Sequence, residues 1–324
     1  MMSSISKMRL AIGATAGAAL AAAAWTGVSL AQDDERMIAG ASCGHAADNT
    51  NYAGNATDPA TDRVFYLEWP CDLEEGEDVT FILNIHGAGS YSGWQHQYFP
   101  ASDYVDSHRL VVATPTALTA EPIRRWTEEA DDEHLHNIVN MVIDEFGAEN
   151  IRAFWLAGHS QGGATSHRIV CDDFFGDKVD GLLSLAGGRI GMRPEEAACE
   201  FSHIFTTGDY DSAGRAGVPS VSPVADGFNC GDRVRTRMIE DTEPGKVYDG
   251  RTEGRPDRRG WGGEPAPGFS DVFEFPNCDG GRVVADVIRY GKGHTEGLEP
   301  LVTEALIDLV VSAEGGRIMN GVEG

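Results

Sequence analysis

The sequence is short of positive charge. Its 324 residues hold 25 Lys and Arg against 51 Asp and Glu, a formal net charge of −26. A phosphate backbone needs cations, so nucleic acid is excluded as a partner, and an anionic membrane surface with it. Long apolar runs are scarce too. Beyond residue 31 no stretch could cross a bilayer, so stable membrane insertion is not expected. There is no Cys-x-x-Cys and no His-Glu-x-x-His, which leaves no familiar zinc pattern, and neither a metal nor another cofactor is expected. No internal repeat and no splitting linker occurs, which excludes solenoids and favours one large domain.

What is present is a core-forming composition. Hydrophobic residues make up 41 %, and the 40 glycines follow no Gly-x-y period, so they serve turns rather than a collagen helix. Residues 1–31 stand apart. Lys7 and Arg9 precede an Ala-, Gly- and Leu-rich run, and Ser29-Leu30-Ala31 offers small residues at a cleavage site. This is the layout of a secretory signal peptide, and a secreted or periplasmic protein cut near Ala31 is expected, with residues 32–324 as a single domain. The six cysteines, Cys43, Cys71, Cys171, Cys199, Cys230 and Cys278, all follow that segment, and an even number in an exported chain favours disulfides. Fifteen pairings are possible, and joining sequence neighbours is one of them.

Along the chain, residues 32–60 read as an irregular lead-in. Strands are expected at Arg63–Trp69, Val79–Ile85, Leu110–Thr114, Ile151–Ala157, Gly181–Ala186, His203–Thr207 and Arg282–Tyr290. Helices are expected at Asp132–Phe146, from its 3, 4 apolar spacing, at Gly162–Cys171 and at Pro300–Ser312, with Pro in the first turn. Residues 245–270, dense in Gly, Pro, Arg and Asp, read as a long surface loop or insertion. Alternating strands and helices imply a mostly parallel central sheet with helices on both faces.

The informative stretch is Gly158-His159-Ser160-Gln161-Gly162. A Gly-x-Ser-x-Gly between a buried strand and a helix is the nucleophile elbow of the α/β-hydrolase fold, where flanking Cβ atoms would clash and the helix start favours negative charge. Upstream, His86-Gly87-Ala88-Gly89 follows another strand, where this fold builds half of its oxyanion hole. The backbone N–H groups of Gln161 and of Ala88 or Gly87 are the expected donors.

A serine hydroxyl needs a base, and in this fold the order is Ser, acid, His. Of the three histidines after Ser160, His167 lies two turns along the elbow helix and His203 starts a strand at the wrong end of the sheet. His294, in a glycine-flanked loop after the last strand, is the expected base. The acid follows the strand His203–Thr207, and both Asp209 and Asp211 qualify.

These residues resemble the secreted α/β-hydrolases that include polyhydroxybutyrate depolymerases and feruloyl esterases. The resemblance spans roughly residues 60–310. It rests on His86-Gly87, Gly158 to Gly163, Gly208-x-x-Asp211, Gly293-His294, Phe228-Asn229-Cys230 and Cys278-Asp279-Gly280-Gly281. It implies Asp211 as the acid, disulfides 171–199 and 230–278, and a Ser160–Asp211–His294 triad that forms an acyl-enzyme on aromatic or polymeric esters. The chain departs from the family after its histidine, where Thr295-Glu296-Gly297 replaces the usual Trp-Pro-Gly. The same residues leave open a serine peptidase or amidase, or a binding protein that keeps only the fold.

Other features point to structure. Asp131 to His136 reads as a solvated helix start with acids at the positive end of the dipole, rather than a metal cluster. Trp94, Trp126 and Trp261 are expected in loops, and Arg251, Arg255, Arg258 and Arg259 make the long loop locally basic.

Overall fold

The computed structural model describes residues 36–46, 54–188, 200–250 and 260–321. The expected signal segment, Cys199 and the four loop arginines lie outside them. The strands are β1 (Met37–Ile38), β2 (Ala41–Ser42), β3 (Ala56–Asp58), β4 (Arg63–Glu68), β5 (Val79–Ile85), β6 (Leu110–Pro115), β7 (Ile151–His159), β8 (Gly181–Leu185), β9 (Ser202–Gly208), β10 (Val234–Glu240), β11 (Phe269–Glu274) and β12 (Val284–Tyr290). The helices are α1 (Ser92–Tyr98), α2 (Val105–His108), α3 (Glu128–Phe146), α4 (Gln161–Ile169), α5 (Ser212–Arg215), α6 (Pro223–Gly227), α7 (Pro300–Ser312) and α8 (Arg317–Gly321).

Ten strands form one sheet in the order β10-β11-β12-β9-β8-β7-β5-β6-β4-β3. The six from β12 to β6 run parallel, and antiparallel strands flank them on each side. The central strands β5, β6, β8 and β9 are buried along their whole length because both faces are covered. In β7, Phe154 and Leu156 join the core under α3, with Leu135, Ile138, Val139 and Val142. Trp155 and Ala157 point the other way, into the core under α7, with Val302, Leu306 and Val310. This architecture, with the strand–turn–helix β7–Ser160–α4 at its centre, is the α/β-hydrolase fold.

Two expected disulfides are present, Cys43–Cys71 and Cys230–Cys278. Cys171 is disulfide-bonded as well. Among the described residues no helix is long and apolar enough to cross a membrane.

Two expectations need correction. The start of α3 is solvated only in part: Glu128, Glu129 and Glu133 are exposed, but Asp131 and His134 are both 0 % exposed. Arg63 pairs with the Asp131 carboxylate at 2.8 Å, which also accepts the N–H groups of Leu118 and Thr127. His134 Nδ1 lies 2.8 Å from the Asp58 carboxylate. Both partners sit far upstream, so helix position alone could not reveal them. The described parts of residues 245–270 run between β10 and β11. Their last residues begin β11, Val247 accepts the Gly297 N–H, and the carbonyls of Gly260 and Trp261 accept the N–H groups of His294 and Thr295. Finally, Trp94 lies in helix α1 rather than a loop.

Candidate active site

Three strand ends meet at one edge of the sheet: β7 delivers Ser160, β9 leads to Asp211 and β12 leads to His294. Ligands of open α/β sheets bind at these carboxyl ends.

The turn at Ser160 is fixed by excluded volume. Ser160 itself has φ 53° and ψ −116°, a left-handed backbone that a non-glycine residue adopts only under constraint. A Cβ on Gly158 would fall on the Gly162 backbone, and one on Gly162 would fall on the carbonyls of Ile85 and His86. On Gly87 it would lie 3.1 Å from Ser160 Cβ, so the loop after β5 passes directly beside the serine. Side chains then lock that loop. His86 is buried, its Nε2 accepts the Ala117 N–H at 3.0 Å, and its Nδ1–H donates to the Gly87 carbonyl at 2.7 Å. Burial pushes its titration down to about 3, so the ring is neutral. Gln161 clamps the Trp126 backbone, accepting its N–H at 3.2 Å and donating to its carbonyl at 3.0 Å. That leaves the Gln161 N–H, at the first turn of α4, without an intrahelical partner.

A hydrogen-bond chain runs through the site. Ser160 Oγ lies 2.7 Å from His294 Nε2, and His294 Nδ1 lies 2.9 Å from Asp211 Oδ2. Asp211 is 5 % exposed, and its other oxygen accepts the Ser212 N–H at 2.6 Å. Burial raises the Asp211 carboxyl, but hydrogen bonds and the charge of His294 outweigh it and hold the group below its ordinary value. Asp209 serves the turn instead, accepting the Gly291 N–H at 2.7 Å.

Sequence reasoning missed the groups that hold His294. His159, buried beside the serine, donates from Nε2 to the His294 carbonyl at 2.8 Å, and its ring packs on Tyr98 and Trp94. Glu296 accepts the N–H groups of Gly293 at 3.0 Å and Gly263 at 3.1 Å, tying the His294 loop to residues 260–263. Arg289, 2 % exposed, pairs with Glu299 at 2.9 Å and donates to the carbonyls of Glu296 and Gly297. Lys292 reaches Glu299 at 2.6 Å. Trp261, 46 % exposed, stands edge-on to His294 with ring centroids 5.0 Å apart. The one sequence signal for this network is the Glu of Thr295-Glu296-Gly297.

No known protein-family profile matches the chain, and no curated protein matches it. Among solved structures it is similar to SOBER1 of Arabidopsis thaliana, with 16% identity and a TM-score of 0.38 over 72% of this chain and 97% of that one. It is similar to a thermostable esterase at 16% identity and a TM-score of 0.35, over 48% of this chain and 46% of the other. Esterase 2 of Thermogutta terrifontis, phosphorylated by paraoxon, shows 15% identity and a TM-score of 0.31 over 46% and 66%. At these identities and scores the similarity bears on no residue of the site.

Proposed function

We propose that the protein is a secreted serine carboxylic ester hydrolase that works through Ser160, His294 and Asp211. The observation that carries this reading is the unbroken hydrogen-bond chain from Ser160 Oγ through His294 to Asp211. Ser160 Oγ–H donates to His294 Nε2, so the ring carries its own proton on Nδ1, facing the Asp211 carboxylate. As Oγ attacks the ester carbonyl, Nε2 takes the hydroxyl proton, and Asp211 stabilises the imidazolium. The carbonyl oxygen becomes an oxyanion, held by the N–H groups of Gln161 and of Ala88 or Gly87 and favoured by the α4 dipole. The proton passes to the leaving alcohol, and water then hydrolyses the acyl-enzyme by the reverse path.

The exposed Trp261 ring beside His294 gives the mouth an aromatic wall. This supports aromatic or polymeric ester substrates, as the resemblance to depolymerases and feruloyl esterases implies. The two disulfides support export with removal of the segment ending near Ala31.

The test is purified protein against short and long nitrophenyl esters, methyl ferulate, polyhydroxybutyrate film and a peptide amide. Ester turnover is expected, with Ser160→Ala lowering it by ~10³-fold or more and a serine-directed organophosphate labelling Ser160. Preferential amide cleavage would install the peptidase reading. Activity that survives complete labelling would overturn the mechanism.

A further inference from the structure

Glu68 ends β4 with its carboxylate fully buried, an expensive placement for a charge unless several groups compensate it. Two imidazoles converge on it from different parts of the chain. His45 Nδ1 lies 3.1 Å from Glu68 Oε1. His96 Nε2 lies 2.9 Å and 3.0 Å from the two carboxylate oxygens. The Ala46 N–H donates to the same Oε1 at 2.8 Å. The two rings stack with centroids 5.5 Å apart and planes within 20°, so both present their edges to one point. All three donor atoms lie within 4.8 Å of one another.

A second observation concerns the far side of His45. Its Nε2 faces Asp103 Oδ1 at 3.5 Å, and Lys246 holds Asp103 at 2.7 Å. A histidine with one ring nitrogen on a shared centre and the other on a carboxylate is the arrangement that orients metal-ligating imidazoles.

We propose that His45, Glu68 and His96 bind a zinc ion, with solvent in the fourth position. Two imidazoles and one carboxylate suit a borderline divalent ion; calcium and magnesium take all-oxygen shells. Tetrahedral zinc with ~2.1 Å bonds sets its donors about 3.4 Å apart, so the two imidazole–carboxylate contacts open by a few tenths of an ångström and the two imidazole nitrogens, within 4.8 Å of each other, settle at the same spacing. Binding needs both coordinating nitrogens bare, so both rings exchange tautomers: the His45 proton moves from Nδ1 to Nε2, where Asp103 accepts it, and the His96 proton moves from Nε2, where it faces Glu68, to Nδ1. His45 is partly exposed, which leaves the fourth position and the entry path to water. Zinc also keeps no redox chemistry to lose beside the Cys43–Cys71 disulfide. The ion ties the disulfide-stapled N-terminal loop to β4 and to α1, the helix whose Trp94 and Tyr98 rings support His159. The proposal is independent of the hydrolase reading.

The test uses the full chain after chelator treatment and dialysis, titrated with zinc chloride by calorimetry and with cobalt(II) by visible absorption. One equivalent of zinc at micromolar Kd or tighter is expected, with tetrahedral cobalt bands and a Tm rise of roughly 5 °C at a hundredfold excess over Kd. His45→Asn, at a partly exposed position that leaves the fold intact, should weaken binding at least ~10-fold and abolish the bands, and Asp103→Asn should weaken it by ~10-fold. Absence of saturable uptake overturns the proposal. So do uptake and cobalt bands that persist unchanged in His45→Asn, because the ion then sits elsewhere.

Discussion

Ser160 and His294 stand within one hydrogen bond of each other, yet the chain holds them by opposite means. The elbow is set by what cannot fit: Gly158 and Gly162 face backbone atoms where any Cβ would collide. The His294 loop is set by charge and hydrogen bonding among Arg289, Lys292, Glu296, Glu299 and the paired segment 260–263. Steric exclusion acts at contact distance and tolerates no compromise. A polar network gathers residues from several segments and can lose one member by degrees. The two halves of the site should therefore fail differently.

The sharpest break is Gly162→Ala. The methyl group meets the carbonyls of Ile85 and His86, so activity and organophosphate labelling should vanish and Tm should fall by about 5 °C or more. A soluble variant with wild-type turnover would show that the elbow has slack. Next comes Asp211→Asn, which keeps the shape but removes the charge beside His294 Nδ1. A kcat loss of ~10³–10⁴ is expected, against a near-normal rate for Asp209→Asn, which only caps the Gly291 turn. Steady-state kinetics of the pair decide between the two acids.

Glu296→Ala probes the graded side of the comparison. Two N–H groups, the buried one of Gly293 and the half-buried one of Gly263, lose their acceptor and the His294 loop loosens, so kcat should drop by ~10–100-fold with KM little changed. Glu296→Gln retains an acceptor oxygen and should restore most of the rate. An all-or-none loss in both variants would place this loop in the same class as the elbow.

The smallest effect lies outside both halves. Burial holds His167 down to about 4, well below its ordinary value near 6.5. As pH falls below 6.5 the unfolded chain takes up this proton first, so stability is full above that pH and declines toward pH 4. His167→Leu should narrow the loss of Tm between pH 7 and pH 4 by about 3 °C, read from thermal melts across that range.

The same contrast explains what could be read in advance. The elbow, the strands Val79–Ile85 and Ile151–His159 and the helix Pro300–Ser312 are local: glycine spacing, continuous apolar runs and a first-turn proline announce them. The flanking pair β10 and β11 was missed because Val234–Glu240 is mostly exposed and carries three charged residues among seven. The buried partners Asp58–His134 and Arg63–Asp131 join residues 76 and 68 positions apart. The cluster of His45, Glu68 and His96 has the same character, with no spacing rule to betray it. Asp209 and Asp211 follow the same strand, so strand alternation does not separate them, and the family pattern prefers the residue that meets His294.

The order of the strands also fixes a schedule. Ser160 is laid down by the middle of the chain, but the imidazole that meets it arrives 134 residues later, after β12. Domains gain their contacts as synthesis proceeds from the N-terminus. A chain that ends between α4 and residue 294 carries the elbow serine without the imidazole that faces it. On the proposed reading, hydrolytic competence therefore arises only once β12 and the loop that follows it are in place.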